Sequence, residues 1–548
     1  MPFHAREEAY GPPRAELYTR EDIEEVFQCV SALCTCDRLS SPAKSDPLFR
    51  PPFPAARARA FREGKEKSLI SFHLRPDLRA LYPVSTLAYY LSAPIVEDED
   101  NYIAFSPGET TDIPGAPELE TWAGEALRRT FYLDCAVRYA AVSGGRLNGL
   151  DVEKLLRGRA EDIFEMGPGE RLMLYSGVRV VPGMPSWHMA AYLDPVPGSV
   201  EALPFLMRSL AAIYMPRAFP VNERAVVSMS VHEFLGKQKG PDTACPGGHV
   251  VLPSLREAGI QLWFSDGFPV DASKVSLRSI SGKRRERKNK GTSIGIVCNE
   301  ESMSGEVDAI IDALGDTEAS VEILWDASVD KYAGAFARGF DVLQVIGHCD
   351  ERGLKCHDGF ASVKDIEKNR TPMFFFNSCA SYREAAQLVE WGSVCGVATL
   401  FRVLEEAAVD LCRDFYRMLG AGYTASVSLN AARECSALGK EYLLLGNGSF
   451  TCFEGDPLKP FYRINSRPGG FSLGCTTGNV DKGYVVSSWS PGGRTMISDL
   501  GFETGPMKAE QLIAISEKFQ GYCIYGRRLY ESVGDAALKA LEDWRCRT

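Results

Sequence analysis

Two short apolar runs between residues 339 and 381 constrain the fold of this chain more than any other feature. The first run is Val342–Ile346 and the second is 373–376, and each ends in a small polar turn. Both runs are too short for helices and are bounded by Gly, Asp, Asn and Pro, so they indicate buried strands. A hairpin at 353–360 and a short helical segment at 362–369 are predicted between them. Two strands joined by such a crossover are expected to be parallel, with a right-handed connection.

Each of the two polar turns carries a residue suited to nucleophilic chemistry, His348 in the first and Cys379 in the second. Parallel neighbours bring their carboxyl ends to one edge of a sheet, where open α/β sheets place their sites. We therefore expect His348 and Cys379 to lie together. A thiolate beside an imidazole that takes and returns its proton is a nucleophile at neutral pH. Either residue alone would more often be structural, because cysteine is among the most buried residue types.

These residues also resemble a known family. A strand ending in Gly-His, an Asp-Gly hairpin, a helix and a strand ending in Ser-Cys-Ala-Ser are similar to the pattern of the CHAT proteases, relatives of caspases and separases. The similarity continues through the small-residue run at 392–400 and closes with the strand at 442–450. It covers roughly 292–456, under a third of the chain. The resemblance implies a cysteine endopeptidase with Cys379 as nucleophile, His348 as general base and acid, a protein substrate and no cofactor.

One position departs from the family pattern. The catalytic histidine is usually followed by glycine, whose N–H is thought to help bind the oxyanion, whereas Cys349 follows His348 here. The backbone N–H groups of Cys349 and Cys379 remain as oxyanion donors. If position 349 needs a positive φ, a Cβ there costs of order 1 kcal/mol. The sequence therefore leaves open a detuned or catalytically silent caspase-like scaffold that binds a partner protein.

Three acidic residues near the dyad, Asp350, Glu351 and Glu384, are candidates for a pocket that receives a basic side chain of the substrate. The sequence does not choose among them. The resemblance also admits a regulatory partner encoded nearby, because CHAT proteases of microbes often travel with their target or their sensor.

A zinc-stabilised binding protein is the third hypothesis. His348, Cys349, Cys356 and His357 supply four potential zinc ligands within ten residues. Adjacent residues on a hairpin point to opposite faces, so all four converge only if the turn is irregular. We place this hypothesis below the protease and expect no metal.

Composition bounds the remaining function classes. The 548 residues suggest three or four domains, and the hydrophobic content of 45% is typical of globular structure. A net charge of −11 argues against a nucleic-acid or anionic-membrane binder. The sequence has no apolar run near 18 residues and no apolar signal core at its start, so we expect a cytoplasmic protein. Its 16 Cys, scattered over a large chain, are expected to be thiols.

The pattern divides the chain into an α/β region at 1–280, a basic linker at 281–291, a catalytic domain at 292–460 and a β-rich and helical extension at 461–548. The first region is long enough to contain two subdomains. Separases carry an inactive protease-like domain before the active one, so the resemblance allows the first region to be such a domain. Six of the eight residues from 283 to 290 are basic, which favours a solvated linker and leaves a self-cleavage loop as an alternative.

The catalytic domain is predicted to be a six-stranded, mostly parallel sheet with helices on both faces. Its strands are expected at the positions that begin near residues 293, 321, 342, 373, 393 and 442. In the N-terminal region, 118–141 and 150–156 predict helices, and 172–181 and 225–230 predict strands.

Overall fold

The structure is a computed structural model. It describes residues 19–35, 70–105, 108–147, 149–182, 184, 186–236, 248–281, 291–315, 317–350, 352–402, 405–455, 459–477, 485–490, 493–498, 502–504 and 506–546. The basic residues 283–290 lie outside these ranges, so the predictions of a solvated linker and of self-cleavage there stay predictions. Within the described ranges, no helix is both long and apolar enough to cross a membrane.

The N-terminal region alternates helices with short strands. Its helices are α1 (Arg20–Thr35), α2 (Leu78–Leu91), α3 (Glu118–Ser143), α4 (Val152–Leu156), α5 (Ala160–Glu165), α6 (Pro168–Ser176), α7 (Leu203–Arg208), α8 (Glu223–Phe234) and α9 (Leu277–Ser281), with a 3-10 helix at Pro197–Ala202. Its strands are β1 (Ile70–Leu74), β2 (Ile95–Glu97), β3 (Tyr102–Phe105), β4 (Glu109–Asp112), β5 (Trp187–Tyr192), β6 (Ala212–Tyr214), β7 (Ala218–Pro220), β8 (Val250–Pro253), β9 (Ala258–Trp263), β10 (Phe268–Pro269) and β11 (Ser273–Lys274).

The region that contains His348 and Cys379 follows. Its strands are β12 (Thr292–Cys298), β13 (Ala319–Trp325), β14 (Val342–Ile346), β15 (Cys349–Asp350), β16 (Gly353–Cys356), β17 (Gly359–Ala361), β18 (Met373–Asn377), β19 (Cys395–Thr399) and β20 (Tyr442–Gly446). Its helices are α10 (Ser304–Leu314), α11 (Val329–Arg338), α12 (Tyr382–Glu390), α13 (Glu405–Gly420) and α14 (Ala425–Cys435), with 3-10 helices at Glu301–Met303, Val363–Asp365 and Gly439–Glu441.

The C-terminal extension is β-rich with two helices, in line with its sequence pattern. Its elements are β21 (Pro460–Arg467), β22 (Gly470–Thr477), β23 (Val485–Ser490), β24 (Gly493–Ser498), β25 (Phe502–Glu503), α15 (Ala509–Ser516), β26 (Cys523–Tyr525), β27 (Arg528–Tyr530) and α16 (Val533–Arg545).

Two strands predicted in the N-terminal region are wrong. Residues 172–181 fall largely in and after α6, and 225–230 lie inside α8. Pro168 opens α6, and the Glu170 carboxylate accepts the Gly167 N–H at 2.7 Å. The Asn222 side chain caps α8 by accepting the Ala225 N–H at 2.9 Å. Short apolar runs do not separate buried helix from buried strand, and here the N-terminal caps decide for helix.

A ten-stranded sheet forms the centre of the molecule. Its strand order is β13-β12-β14-β18-β19-β20-β11-β9-β5-β6. The first five strands are mutually parallel, β20 is antiparallel to β19, and the last four run parallel to β20. All six predicted strands are present as six consecutive strands of this sheet, so the mostly parallel α/β fold class is confirmed. The sheet continues past β20 into strands of the N-terminal region, and the domain boundaries therefore stay a prediction.

Helices cover both faces of the strands that lead to the predicted site. Residues of β14 alternate between the faces. Val342 and Ile346 pack in a core with α10 and α13, whereas Leu343 and Val345 pack in a core with α11 and α12. Burial on both faces explains why these strands are largely apolar, with Gln344 as the one polar residue inside β14 and Asn377 at the end of β18. The predicted helical segment at 362–369 is reduced to the 3-10 helix Val363–Asp365.

Candidate active site

Three neighbouring strands end at the same level of the sheet. The last residues of β12, β14 and β18 are in register with one another. Glu300, His348 and Cys379 each come two residues after the end of their strand. Adjacent strands lie about 4.8 Å apart, so equivalent positions beyond their ends are neighbours. The topology thus arranges a carboxylate, an imidazole and a thiol in that order along one edge of the sheet.

Glu300 is the residue that the sequence interpretation missed. Its Oε2 lies 3.4 Å from Nε2 of His348, within ion-pair distance. The His348 side chain is 57% exposed, so much of its ring is accessible to solvent. The spacing rule applied to His348 and Cys379 leads to Glu300 only when it is extended to β12, and only the strand order of the sheet shows that β12 is the neighbour of β14.

Cys379 lies in the turn between β18 and α12. Thr399, at the end of β19, fastens this turn from the side: its Oγ1 donates to the Ser378 carbonyl at 2.5 Å, and its N–H donates to Ser381 Oγ at 3.2 Å. Ala380 adopts a left-handed φ of 52°, which is unfavourable for a residue with a Cβ. The sharp turn leaves Cys379 half-buried at the sheet edge.

The hairpin after His348 leaves the N–H of Cys349 unused by its partner strand. The Lys355 N–H donates to the His348 carbonyl at 2.8 Å, which makes those two residues a hydrogen-bonded pair. Cys349 pairs with Leu354 one step along the ladder. Hydrogen-bonded and non-hydrogen-bonded pairs alternate in antiparallel strands, so the Cys349 N–H points away from β16. This geometry suits an oxyanion donor.

The condition under which Cys349 would cost energy, a positive φ at position 349, is not met. Cys349 is not one of the described non-glycine residues that have a positive φ. Gly347 carries the positive φ at this turn, 153°, one residue before His348. Because glycine occupies the position that needs the unusual backbone, Cys349 adds no conformational penalty.

The Cys349 thiol is not a second nucleophile at neutral pH. Burial raises its pKa to about 12, with further contributions from the nearby charges of Glu384, Asp350 and Cys379. With a pKa this high, the thiol stays protonated near pH 7.

We expect Cys349→Gly and Cys349→Ala to keep activity near that of the wild type. Neither change removes the N–H or relieves any strain, so the effect on the free energy of activation should stay within about 0.5 kcal/mol. Steady-state cleavage rates of the three proteins are the measurement. A large gain in Cys349→Gly would restore the detuning hypothesis, and a complete loss would implicate the thiol.

The pocket candidates have different surroundings. Asp350 is exposed, and its Oδ2 accepts Nη2 of Arg352 at 2.6 Å, a hydrogen bond that lowers the pKa of the carboxyl. Glu384 is half-buried, and its Oε2 accepts the Val363 N–H at 2.6 Å. Glu351 lies outside the described residues. The assignment of a substrate pocket to any of the three stays a prediction.

The four residues of the zinc hypothesis do not gather. Within the described ranges, no three His, Cys, Asp or Glu side chains are grouped so as to hold a metal ion. His357 lies beside Asp358, with Nδ1 3.9 Å from Oδ1, and the Cys356 thiol contacts Nδ2 of Asn299 at 3.5 Å. The zinc hypothesis therefore gains no support from the geometry.

Comparison with known proteins gives distant similarity only. No family model matches the sequence, and no curated protein matches it significantly. Among solved structures, the "Complex of Porphyromonas gingivalis RgpB pro- and mature domains" matches with a TM-score of 0.32 and 12% identity, covering 59% of this chain and 93% of that chain. The "Arg specific cysteine proteinase gingipain R (RGPB)" matches with a TM-score of 0.33 and 12% identity, covering 59% and 92%. A structure described as "Structure of Protease" matches with a TM-score of 0.32 and 10% identity, covering 57% and 91%. Values this low do not establish a family.

Proposed function

We propose that this protein is a cysteine endopeptidase of the CHAT type that cleaves a protein substrate through Cys379 and His348, with Glu300 orienting the imidazole. The observation that carries the proposal is the shared level of the three residues, each two positions beyond one of three adjacent parallel strands. A nucleophile, a base and a group that orients the base are the parts that covalent catalysis of acyl transfer requires.

The reaction follows from these positions. His348 takes the proton of the Cys379 thiol, and the sulfur attacks the scissile carbonyl carbon. The N–H groups of Cys349 and Cys379 are the proposed donors to the developing oxyanion. The imidazolium then gives its proton to the leaving amine, which departs as the new N-terminus. Water, deprotonated by His348, attacks the remaining thioester and releases the acid and the free thiol.

Glu300 fixes which nitrogen of His348 performs this work. Its carboxylate lies beside Nε2. A proton held on Nε2 by that carboxylate leaves Nδ1 unprotonated and available to the thiol. The negative charge also stabilises the imidazolium that forms when the thiol loses its proton.

We expect Glu300→Gln to lower kcat with little change in KM. The amide oxygen can still accept from Nε2, but the charge that stabilises the imidazolium is lost. The pair is partly exposed and its 3.4 Å separation is long, so the loss should be about tenfold, below that of a buried triad. Kinetics at several pH values are the measurement. An unchanged kcat would remove Glu300 from the site.

The proposal is tested by selective alkylation. Cys546 is exposed, and Cys379 is only half-buried. An ordinary thiol reacts according to its exposure, so a limiting amount of iodoacetamide should label Cys546 first unless Cys379 is activated. We expect Cys379 to react faster than Cys546, and its rate to fall in His348→Ala while that of Cys546 is unchanged. Equal or slower labelling of Cys379, located by peptide mass mapping, would favour the catalytically silent scaffold.

The remaining parts of the hypothesis rest on the sequence resemblance. A protein substrate fits an exposed His348 at an open sheet edge. A preference for a basic residue before the cut, a regulatory partner encoded nearby, and a cytoplasmic location stay predictions. Self-cleavage at 283–290 also stays a prediction, and incubating the wild type beside Cys379→Ala with mass analysis of fragments tests it.

A further inference from the structure

A buried carboxylic acid lies behind the candidate catalytic strands. Glu306, on α10, is 1% exposed and sits on the face of the sheet covered by α10 and α13. An acid in such a place is costly unless its oxygens accept hydrogen bonds. The hydrogen bonds that the Glu306 oxygens accept therefore indicate the structural role of this acid.

Two hydrogen-bonded arms converge on the Glu306 carboxylate. In one arm, Nε2 of Gln344 donates to Oε1 of Glu306 at 2.6 Å, and the Tyr416 hydroxyl donates to Oε1 of Gln344 at 2.9 Å. In the other arm, Nδ2 of Asn377 donates to Oε2 of Glu306 at 2.6 Å, and the Tyr442 hydroxyl donates to Oδ1 of Asn377 at 3.0 Å. The two amide N–H₂ groups donate to the carboxylate, and each phenol donates to the oxygen of the amide behind it.

The other titratable groups around Glu306 stay neutral near pH 7. The Cys412 thiol of α13 donates to Oε1 at 3.3 Å, and burial raises the pKa of Cys412 well above its usual range. Burial does the same for the phenols of Tyr416 and Tyr442, and raises the pKa of Cys298 at the end of β12. The described residues place no cation against this carboxyl.

Glu306 itself titrates near neutrality. Burial raises its pKa to about 7, although the hydrogen bonds from Asn377, Cys412 and Gln344 oppose the rise. Asn377 and Gln344 belong to β18 and β14, the strands that end at the candidate nucleophile and base. Asn377 is separated from Cys379 by a single residue.

We propose that Glu306 is a positioning residue, whose carboxylate holds the Asn377 amide and through it the turn that carries Cys379. The proposal rests on the proposed function and adds a second support to the site. Thr399 fastens the turn from the neighbouring strand, and Glu306 fastens the strand residue that leads into it.

Protonation of Glu306 disturbs this arrangement. The amide oxygens of Gln344 and Asn377 already accept phenol protons, and their amide nitrogens face the carboxyl. A proton on Glu306 would therefore face the N–H₂ groups of the two amides. One amide would have to rotate so that its oxygen could accept this proton. The ionised form is the one that positions the turn, and activity should rise as the pH passes through the pKa of Glu306.

The test is a pH profile of Glu306→Gln. The variant removes the titration and puts an amide N–H₂ against one of the two donor amides. We expect kcat to fall about 10- to 100-fold, because small displacements of a reacting group are that costly, while KM changes little. We also expect the rate step near pH 7 to disappear. The rate at which iodoacetamide labels Cys379 should lose the same step, a readout that needs no substrate.

A matched control and a rescue variant complete the design. Asp414→Asn, on α13, removes another carboxyl whose pKa burial raises, to about 6, outside the network. It should leave the step near pH 7 in place. Glu306→Gln combined with Asn377→Asp exchanges acid and amide, so that every donor regains an acceptor, and it should recover part of the lost kcat.

The outcomes separate the two proposals. If wild-type Cys379 shows no enhanced labelling, the proposed function fails. If the wild type is active and Glu306→Gln keeps its kcat and its pH profile, the positioning role fails alone. Should Glu306→Gln not fold, Asn377→Ala takes its place, because it cuts the link between the carboxyl and the turn: an unchanged kcat and an unchanged pH profile in that folded variant would overturn the role equally.

Discussion

Cys379→Ala is expected to abolish peptidase activity, and His348→Ala to lower it by a similar factor, of order 10³ or more. The thiol is the proposed nucleophile and the imidazole its base, so neither acts without the other. The double variant should therefore be no slower than the single variants. Cleavage of a protein substrate is the measurement, and unfolding curves should show that the fold is retained, since both residues lie at the sheet edge with partly exposed side chains.

The comparison of the double variant with the two single variants decides whether Cys379 and His348 act as a unit. Multiplying losses in the double variant would mean that the two residues act independently, which contradicts a dyad. Activity retained by Cys379→Ala would exclude the proposed mechanism altogether. Cys379→Ser is a useful companion because it keeps the shape of the side chain and weakens the nucleophile.

Gly353→Ala is expected to destabilise the hairpin that follows His348. Gly353 has a φ of 117°, and a Cβ added there would lie 2.1 Å from the Ala361 carbonyl oxygen. The neighbouring strand must move or the backbone must change, at a cost of roughly 2 kcal/mol or more. This hairpin holds the His348 carbonyl through Lys355 and positions the Cys349 N–H. Activity should therefore fall together with stability, as measured by urea unfolding and by cleavage rate.

Gly359→Ala is the matched control. It lies in the same small sheet, and a Cβ there would meet only Cγ2 of Val329 at 3.8 Å, an ordinary contact. We expect its stability and activity to remain close to those of the wild type. If both alanine variants behave alike, the hairpin does not depend on the backbone of Gly353, and its role in placing the site is contradicted.

The strands and the two strand-end residues could be predicted from the sequence because each depends on local pattern. Val342–Ile346 was located with its bounds intact, and its apolar run needs no long-range information. The parallel pairing of β14 with β18 follows from the crossover rule. The wrong strands at 172–181 and 225–230 arose where a short apolar run suits either element. There, capping side chains decide the element, and apolar periodicity does not.

The residues that support the site could not be predicted in the same way. Glu300 and Glu306 are ordinary acids in a run of polar residues after β12, and nothing local separates them. One lies beside His348, and the other is buried under β14 and β18. Only the order of strands in the sheet decides this, because it brings residues 38 to 71 positions apart in sequence into contact with Glu306.

By itself, the sequence determined the alternation of strands and helices, the parallel part of the sheet, and the positions of His348 and Cys379 just beyond the ends of two adjacent strands, since these follow from periodicity and chain connection. Tertiary structure alone decided the joining of N-terminal strands to β20, the positive φ at Gly347 in place of Cys349, and the network around Glu306. Those features depend on which strand edges and which polar atoms are brought together when the chain packs. Burial removes these groups from water, and the free energy of their hydrogen bonds then depends on the surrounding tertiary structure, which local sequence does not encode.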